Sequence, residues 1–239
     1  MNQVICADLE ALSEQALWLV EKRVQAAVAE RGQATLVLAG GRTPRRLYQR
    51  IAQREWPWPR LHLFWGDERF VPPDHPESNY RMACETWLDH VPIPADHVHP
   101  IPTLPLTPAE AATRYEQELQ RFFGLQPGEF PVFDVILLGM GEDGHTASLF
   151  PYTAALQVCD RIVTVGYKGD EPRITLTIPT LNSGRCVIFL VAGASKATAY
   201  AQVTGDQPDG NRYPAALIRP QVGELWWLVE AAVLAAPEP

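Results

Sequence analysis

Short apolar runs recur along the chain, each bounded by glycine, proline or charged residues. They alternate with stretches in which apolar positions return every three or four residues. Residues 9–29 carry the second pattern and predict a helix ended by Gly32. Residues 35–39 predict a short strand running into Gly40-Gly41. Thr43-Pro44 is expected to cap and open the next helix, because proline's missing N–H costs nothing at the first helical position. Residues 61–65 predict a second strand, running into Gly66-Asp67-Glu68-Arg69. Ser78 is expected to cap a helix to about residue 88, and Thr107-Pro108-Ala109-Glu110 reads as a capping box for a helix to residue 123. Further strands are predicted at 133–138, 173–178, 186–191 and 225–229, with Ser195 capping a helix. The proline-rich stretch 91–108 reads as an extended connection with a short strand, and the closing Ala-Ala-Pro-Glu-Pro is expected to fray.

Continuous apolar strands alternating with helices predict an α/β fold: a doubly wound, mostly parallel sheet with helices on both faces. No repeat or Gly/Ser linker divides the chain, so residues 1–239 read as a single domain. In such sheets ligands bind at the carboxyl ends of the strands. That rule selects the segments after Ala39, Trp65, Leu138 and Val191, each with glycine and polar or charged residues.

Composition narrows the function without choosing it. A 46% hydrophobic and 20% charged chain is that of an ordinary globule. The net charge of −8 argues against a nucleic-acid binder, which usually shows a basic face. Cys6, Cys84, Cys159 and Cys186 are widely spaced, with no CxxC, and read as free buried thiols in a reducing compartment. No run is long enough to span a membrane, and the first residues lack a signal-peptide pattern, so a cytoplasmic location is expected.

Four segments can carry chemistry. In residues 134–151 an apolar strand delivers Gly139, Gly141, Glu142, Asp143, Gly144 and His145. His145 can take and give a proton near neutral pH, and a neighbouring carboxylate would fix its tautomer. A bare Asp-Gly-His reads first as a capping Asp and a surface His; the preceding strand and surrounding glycines reverse that reading towards a site. In Leu38-Ala39-Gly40-Gly41-Arg42-Thr43-Pro44-Arg45 two glycines lead into a helix N-terminus, which suits an anion, although a plain turn explains them as well. No P-loop or dinucleotide fingerprint is present, so a sugar phosphate fits better. Asp67, Glu68 and Arg69 end a strand, where charges need partners or water. Arg173 and Lys196 are candidate phosphate partners that singly read as surface charges. His97 and His99 can share one side of a strand, but no third ligand is in register and no metal site is expected.

The segments AGGRTP, WGDERFVPPDHPESNYRM, FDVILLGMGEDGHTASLFP, RITLTIPTLN and VIFLVAGASKA together resemble the 6-phosphogluconolactonase family, which shares its fold with the glucosamine-6-phosphate deaminases. The deaminase branch usually reads DGHIAFNEP and DEY; here Phe150 stands where that motif has its acid, and Arg69 where it has Tyr. Both departures favour the lactonase branch. Glu142 is unusual, since many relatives carry proline or a small residue there.

The resemblance implies hydrolysis of 6-phosphoglucono-δ-lactone to 6-phosphogluconate in the oxidative pentose phosphate pathway. It implies His145 as general base, with Asp143 orienting it and Asp67 as the alternative partner. Glycine N–H groups or Arg69 would stabilise the oxyanion. Gly40, Gly41, Arg42 and Thr43, with Arg173 and Lys196, would hold the phosphate. No cofactor and no metal are expected. The partner is a small phosphorylated lactone, with no nucleic acid and no membrane, and a monomer is expected. The alternatives are an aminosugar-phosphate isomerase/deaminase and a non-catalytic phosphosugar-binding module.

Overall fold

A computed structural model describes residues 2–235; the fraying expected for 235–239 falls, beyond residue 235, outside the described residues. The strands are β1 (Asn2–Cys6), β2 (Ala34–Leu38), β3 (Leu61–Trp65), β4 (Asp67–Arg69), β5 (Val98–His99), β6 (Val135–Gly139), β7 (Val163–Lys168), β8 (Glu171–Leu176), β9 (Cys186–Val191) and β10 (Glu224–Glu230). The helices are α1 (Leu9–Arg31), α2 (Arg42–Ile51), α3 (Asn79–Thr86), α4 (Pro108–Phe123), α5 (Ile178–Asn182) and α6 (Ala197–Thr204).

Seven strands form one sheet in the order β1-β10-β9-β6-β2-β3-β5, every neighbouring pair parallel. From β2 the chain steps to β3 and β5, then returns past β2 to β6, β9 and β10. Crossovers between parallel strands are right-handed, so this reversal sends connections to opposite faces. The reversal also leaves a crevice beyond the carboxyl ends of β2 and β6, the place where such sheets take ligands. β2 and β9 are buried along their whole length, as the continuous apolar runs require. α1 packs on β1, β2, β6, β9 and β10.

Local signals act as read at several ends. Gly32 takes a left-handed φ of 78° and its N–H returns to the Val28 carbonyl, closing α1. Thr107 and Glu110 form the reciprocal capping box of α4. Ser78 Oγ accepts the Arg81 N–H and caps α3, which stops at Thr86, short of the expected 88.

Other expectations are corrected. α2 begins at Arg42 with Gly41 as its cap, so Thr43 lies inside the first turn and caps nothing. Ser195 sits within a 3₁₀ turn, Ala194–Lys196, and makes no cap for α6. The strand containing Arg173 is not in the parallel sheet. It is the middle of a separate antiparallel sheet, β4-β8-β7, in which Asp67 pairs with Thr175, Glu68 with Ile174 and Arg69 with Arg173. These three charged residues form an edge strand: β8 pairs one side, while the Arg69 N–H donates to Glu68 Oε1 and the Asp67 carbonyl accepts Asn79 Nδ2. The cysteines are free, but only Cys6 and Cys186 are buried; Cys84 is half-buried and Cys159 exposed.

His62 joins the histidines expected to share a side. Its ring stacks on His97 at 3.9 Å, its Nδ1 lies 3.2 Å from His99 Nε2, and His99 Nδ1 lies 2.8 Å from Glu118 Oε1. These rings stack rather than converge, and among the described residues no group of three or more His, Cys, Asp or Glu is placed to hold a metal ion.

Candidate active site

Two buried tyrosines set the ends of the strands that reach the crevice. Tyr48 Oη accepts the Ala39 N–H at 2.9 Å and donates to the Ala39 carbonyl at 2.8 Å. Tyr115 Oη does the same for Trp65, at 2.9 and 3.1 Å. The chain leaves β2 and β3 just past these anchors, at Gly40 and Gly66; the Gly66 N–H still donates to the Leu38 carbonyl at 2.9 Å.

After β6 the chain folds back on itself. Gly141 N–H donates to the His145 carbonyl at 2.8 Å, and Thr146 Oγ1 donates to the Gly139 carbonyl at 2.8 Å. Gly144 supplies the reversal with a φ of 78°. His145 is thereby laid over Gly141, so closely that a Cβ on Gly141 would stand 2.0 Å from His145 Nδ1. Only glycine fits there.

Asp143 Oδ1 lies 2.5 Å from His145 Nδ1 and accepts the His145 backbone N–H at 3.1 Å. Partial burial works against the charged carboxylate, but these hydrogen bonds and the imidazole charge outweigh it and bring its pKa down to about 2. The pairing leaves Nε2 without a protein hydrogen bond among the described residues. The ring rests on Phe150, with centroids 4.6 Å apart.

Asp67 is 8% exposed and turns to another partner: its Oδ2 accepts Ser148 Oγ–H at 2.6 Å. Its carbonyl accepts Asn79 Nδ2 at 2.9 Å. A Cβ on Gly40 would meet Asn79 Oδ1 at 2.0 Å, so this glycine too is set by close approach. Glu68 points the other way. It accepts the backbone N–H groups of Arg69, Asn79 and Tyr80 and the Ser78 hydroxyl, tying β4 to the start of α3. Burial nevertheless holds its pKa above the ordinary value against those donors.

A cavity of about 200 Å³ brings together Gly40, Gly41, Asp67, Arg69, His145 and Lys196, with Asn79 and Ala147 also in its wall. Arg69 Nη1 is anchored on the Glu77 carbonyl at 2.6 Å. Arg42, Thr43 and Arg173 do not line this cavity. Arg42 and Thr43 follow directly in the first turn of α2, which holds no acidic residue and no side-chain cap. Arg173 lies beside Arg69 across the β4–β8 pair, buried and bound to Glu171 Oε2 at 2.8 Å. Asp143 stands behind His145, outside the lining. Asn79, Ala147 and Ser148 were not singled out from the sequence; their one signal was a place inside the ESNYRM and HTASLF segments.

The cavity therefore offers an imidazole nitrogen backed by a carboxylate, a second carboxylate, two cations and a helix N-terminus. That set suits proton transfer on an anionic substrate.

Known proteins are similar to this chain in sequence and in fold. The family described as glucosamine-6-phosphate isomerases/6-phosphogluconolactonase matches residues 7–227. A 6-phosphogluconolactonase of Nostoc sp. is 52% identical over 95% of this chain and 95% of its own. The human 6-phosphogluconolactonase is 42% identical over 72% of this chain and 67% of its own. Among solved structures, 6-phosphogluconolactonase from Trypanosoma cruzi superposes with a TM-score of 0.88 at 28% identity, covering 100% of this chain and 97% of that one. A monomeric glucosamine-6-phosphate deaminase superposes at 0.82 over 98% of each chain, but at 19% identity it shares the fold alone. With residues 7–227 matched, the chain belongs to the glucosamine-6-phosphate isomerase/6-phosphogluconolactonase family.

Proposed function

We propose that the chain, acting as one domain, hydrolyses 6-phosphoglucono-δ-lactone to 6-phosphogluconate. The observation that carries this reading is the 2.5 Å pairing of Asp143 with His145 Nδ1, on a residue that lines a cavity together with Arg69 and Lys196. The relatives named above as lactonases support the choice of substrate.

His145 Nε2 takes a proton from water as its oxygen attacks the lactone carbonyl carbon. The carbonyl oxygen becomes an oxyanion, met by Arg69 or the N–H groups of the glycine-rich turns. The tetrahedral intermediate collapses by breaking the bond to the ring oxygen, which receives the proton from His145. Asp143 holds the ring and stabilises the imidazolium in between. Gly40, Gly41, Arg42 and Thr43 present the first turn of α2 to the phosphate, with Lys196; Arg173 adds positive charge beside Arg69. Asp67 accepts a substrate hydroxyl with the oxygen Ser148 leaves free. A lactone is already an activated ester, and general-base help worth about 10²–10⁴-fold is a sufficient contribution.

The lactonase relatives support a small-molecule substrate; no described helix is long and apolar enough to cross a membrane. A monomer in the cytoplasm is the state this reading uses. Deamination of an aminosugar phosphate is not favoured, because Phe150, packed on His145, stands where the deaminase motif has its acid. A continuous acid-release assay, corrected for spontaneous opening, should show rapid turnover of the lactone and no ammonia from glucosamine 6-phosphate. Ammonia release without lactone turnover would overturn the reading.

A further inference from the structure

Ser148 is 1% exposed and stands outside the cavity, yet its hydroxyl is the side-chain donor to a carboxylate inside it. The Oγ–Oδ2 distance to Asp67 is 2.6 Å, the short range expected for a hydroxyl donating to a carboxylate. Ser148 is itself held from two sides. Its N–H donates to the buried Thr175 Oγ1 at 3.2 Å, and its carbonyl lies against Gly166, where a Cβ would stand 2.1 Å away. Thr175 is the register partner of Asp67 across the β4–β8 pair, so the two elements that hold Ser148 and Asp67 are fixed to each other.

The segment joining Ser148 to the base is also constrained. Ala147, which lines the cavity, takes a φ of 47°, a left-handed conformation that alanine rarely adopts. Such a conformation persists where the surroundings over-determine it, and it clusters at functional sites. Here it separates two jobs on neighbouring residues: His145 faces the cavity while Ser148 reaches behind it to the other carboxylate.

We infer that Ser148 is a positioning residue for the hydrolysis, acting through Asp67. The torsion that turns an aspartate carboxylate about its stem is broad and two-fold. A buried carboxylate oxygen that loses its donor turns to find another. With the Ser148 hydroxyl in place, one oxygen of Asp67 is fixed and the other is aimed into the cavity, where it receives a hydroxyl of the lactone. That contact sets the carbonyl carbon in register with His145 Nε2. The inference rests on reading the cavity as the lactone site.

A double-mutant cycle on the full chain tests it, using 6-phosphoglucono-δ-lactone and the variants Ser148→Ala, Asp67→Asn and the pair. Misplacing a reacting group by an ångström can cost about 10²-fold, so a loosened carboxylate should lower kcat by about tenfold in Ser148→Ala. KM should stay within about twofold, because the phosphate contacts are untouched. In the Asp67→Asn background the same serine change should have almost no further effect, since residues that act as a unit are non-additive. Equal losses in both backgrounds, or an unchanged kcat in Ser148→Ala, would overturn the inference. A crystal structure of Ser148→Ala gives a second readout: the Asp67 carboxylate should be rotated with the backbone unmoved, and an unrotated carboxylate would also overturn it. Full activity of Asp67→Asn would remove both this inference and the role of Asp67. A wild-type chain inactive on the lactone would instead remove the proposed function.

Discussion

One oxygen of Asp143 holds His145 twice, lying 2.5 Å from the ring Nδ1 and 3.1 Å from the backbone nitrogen of the same residue. Residues two apart reach each other in this way only because Gly144 reverses the chain with a positive φ. Asp143→Asn keeps the shape and loses the charge that supports the imidazolium. Its kcat for the lactone should fall by about 10²-fold, the low end of what general-base catalysis supplies. A kcat within twofold of wild type would remove Asp143 from the mechanism.

The same pairing sets a pH dependence. The carboxyl pKa of Asp143 is lowered to about 2, against about 3.9 for an unperturbed aspartate. A depressed carboxylate contributes stability that is present above its unfolded value and lost as pH falls through the folded one. Asp143 therefore stays charged through the whole range from pH 8 to pH 4. The carboxyl-carbon NMR signal of Asp143 should be flat over that range and move only near pH 2; a midpoint near 4 would show the pairing to be absent in solution.

Gly141→Ala places a methyl group 2.0 Å from His145 Nδ1 and 2.5 Å from Asp143 Oδ1. The imidazole must move away, and kcat should drop by about 10²-fold or more while the circular dichroism spectrum is retained. Wild-type turnover in this variant would contradict the close approach.

Tyr48 serves stability rather than chemistry. Tyr48→Phe strips the Ala39 N–H and carbonyl of their shared buried partner. The expected loss is about 1–3 kcal/mol in urea unfolding, the usual cost of leaving buried polar groups unpaired. A change below about 0.5 kcal/mol would show that Ala39 finds other partners.

The histidine stack should make the fold acid-sensitive. Burial first, then the neighbouring His97 and His99, pull the His62 pKa down to about 4, and Asp96 opposes this only weakly. A depressed histidine favours its neutral form in the fold, so its contribution is full above about pH 6.5 and disappears as pH falls through about 4. The melting temperature should decline across that window, and less steeply in His62→Phe. Parallel profiles in the two proteins would place the acid sensitivity elsewhere.

The sequence reveals the parts of this molecule whose signals are local. β2, β3, β6 and β9 are apolar along nearly their whole length because both faces of the sheet are covered there. The Gly32 stop and the Thr107 box depend on a few adjacent residues. β1 is an edge strand in which only Cys6 is buried, so Asn2-Gln3-Val4-Ile5 carries no apolar run. β4 and β7 are hidden for a related reason: one is three charged residues, and the other has only two buried positions in six. Their pairing partner supplies the order that composition does not.

The site divides along the same line. Asp143 and His145 are neighbours on one turn, and the glycines around them are visible in the chain. Ser148 finds its partner 81 residues away, and Asn79, at the start of α3, meets Gly40 in the turn after β2. No spacing rule joins such pairs. Arg69 and Arg173 show the limit from the other side. The sequence does not join them, whereas folding puts them in register, with one on the cavity wall and the other bound to Glu171.

In the proposed hydrolysis His145 Nε2 removes the proton from the attacking water. Its most direct measurement is the rate of lactone opening, corrected for the spontaneous reaction, by wild type and His145→Ala over a range of substrate concentrations. The predicted result is a kcat lowered by about 10²–10⁴-fold with KM nearly unchanged. A His145→Ala protein that turns over the lactone at the wild-type rate would remove His145 as the base.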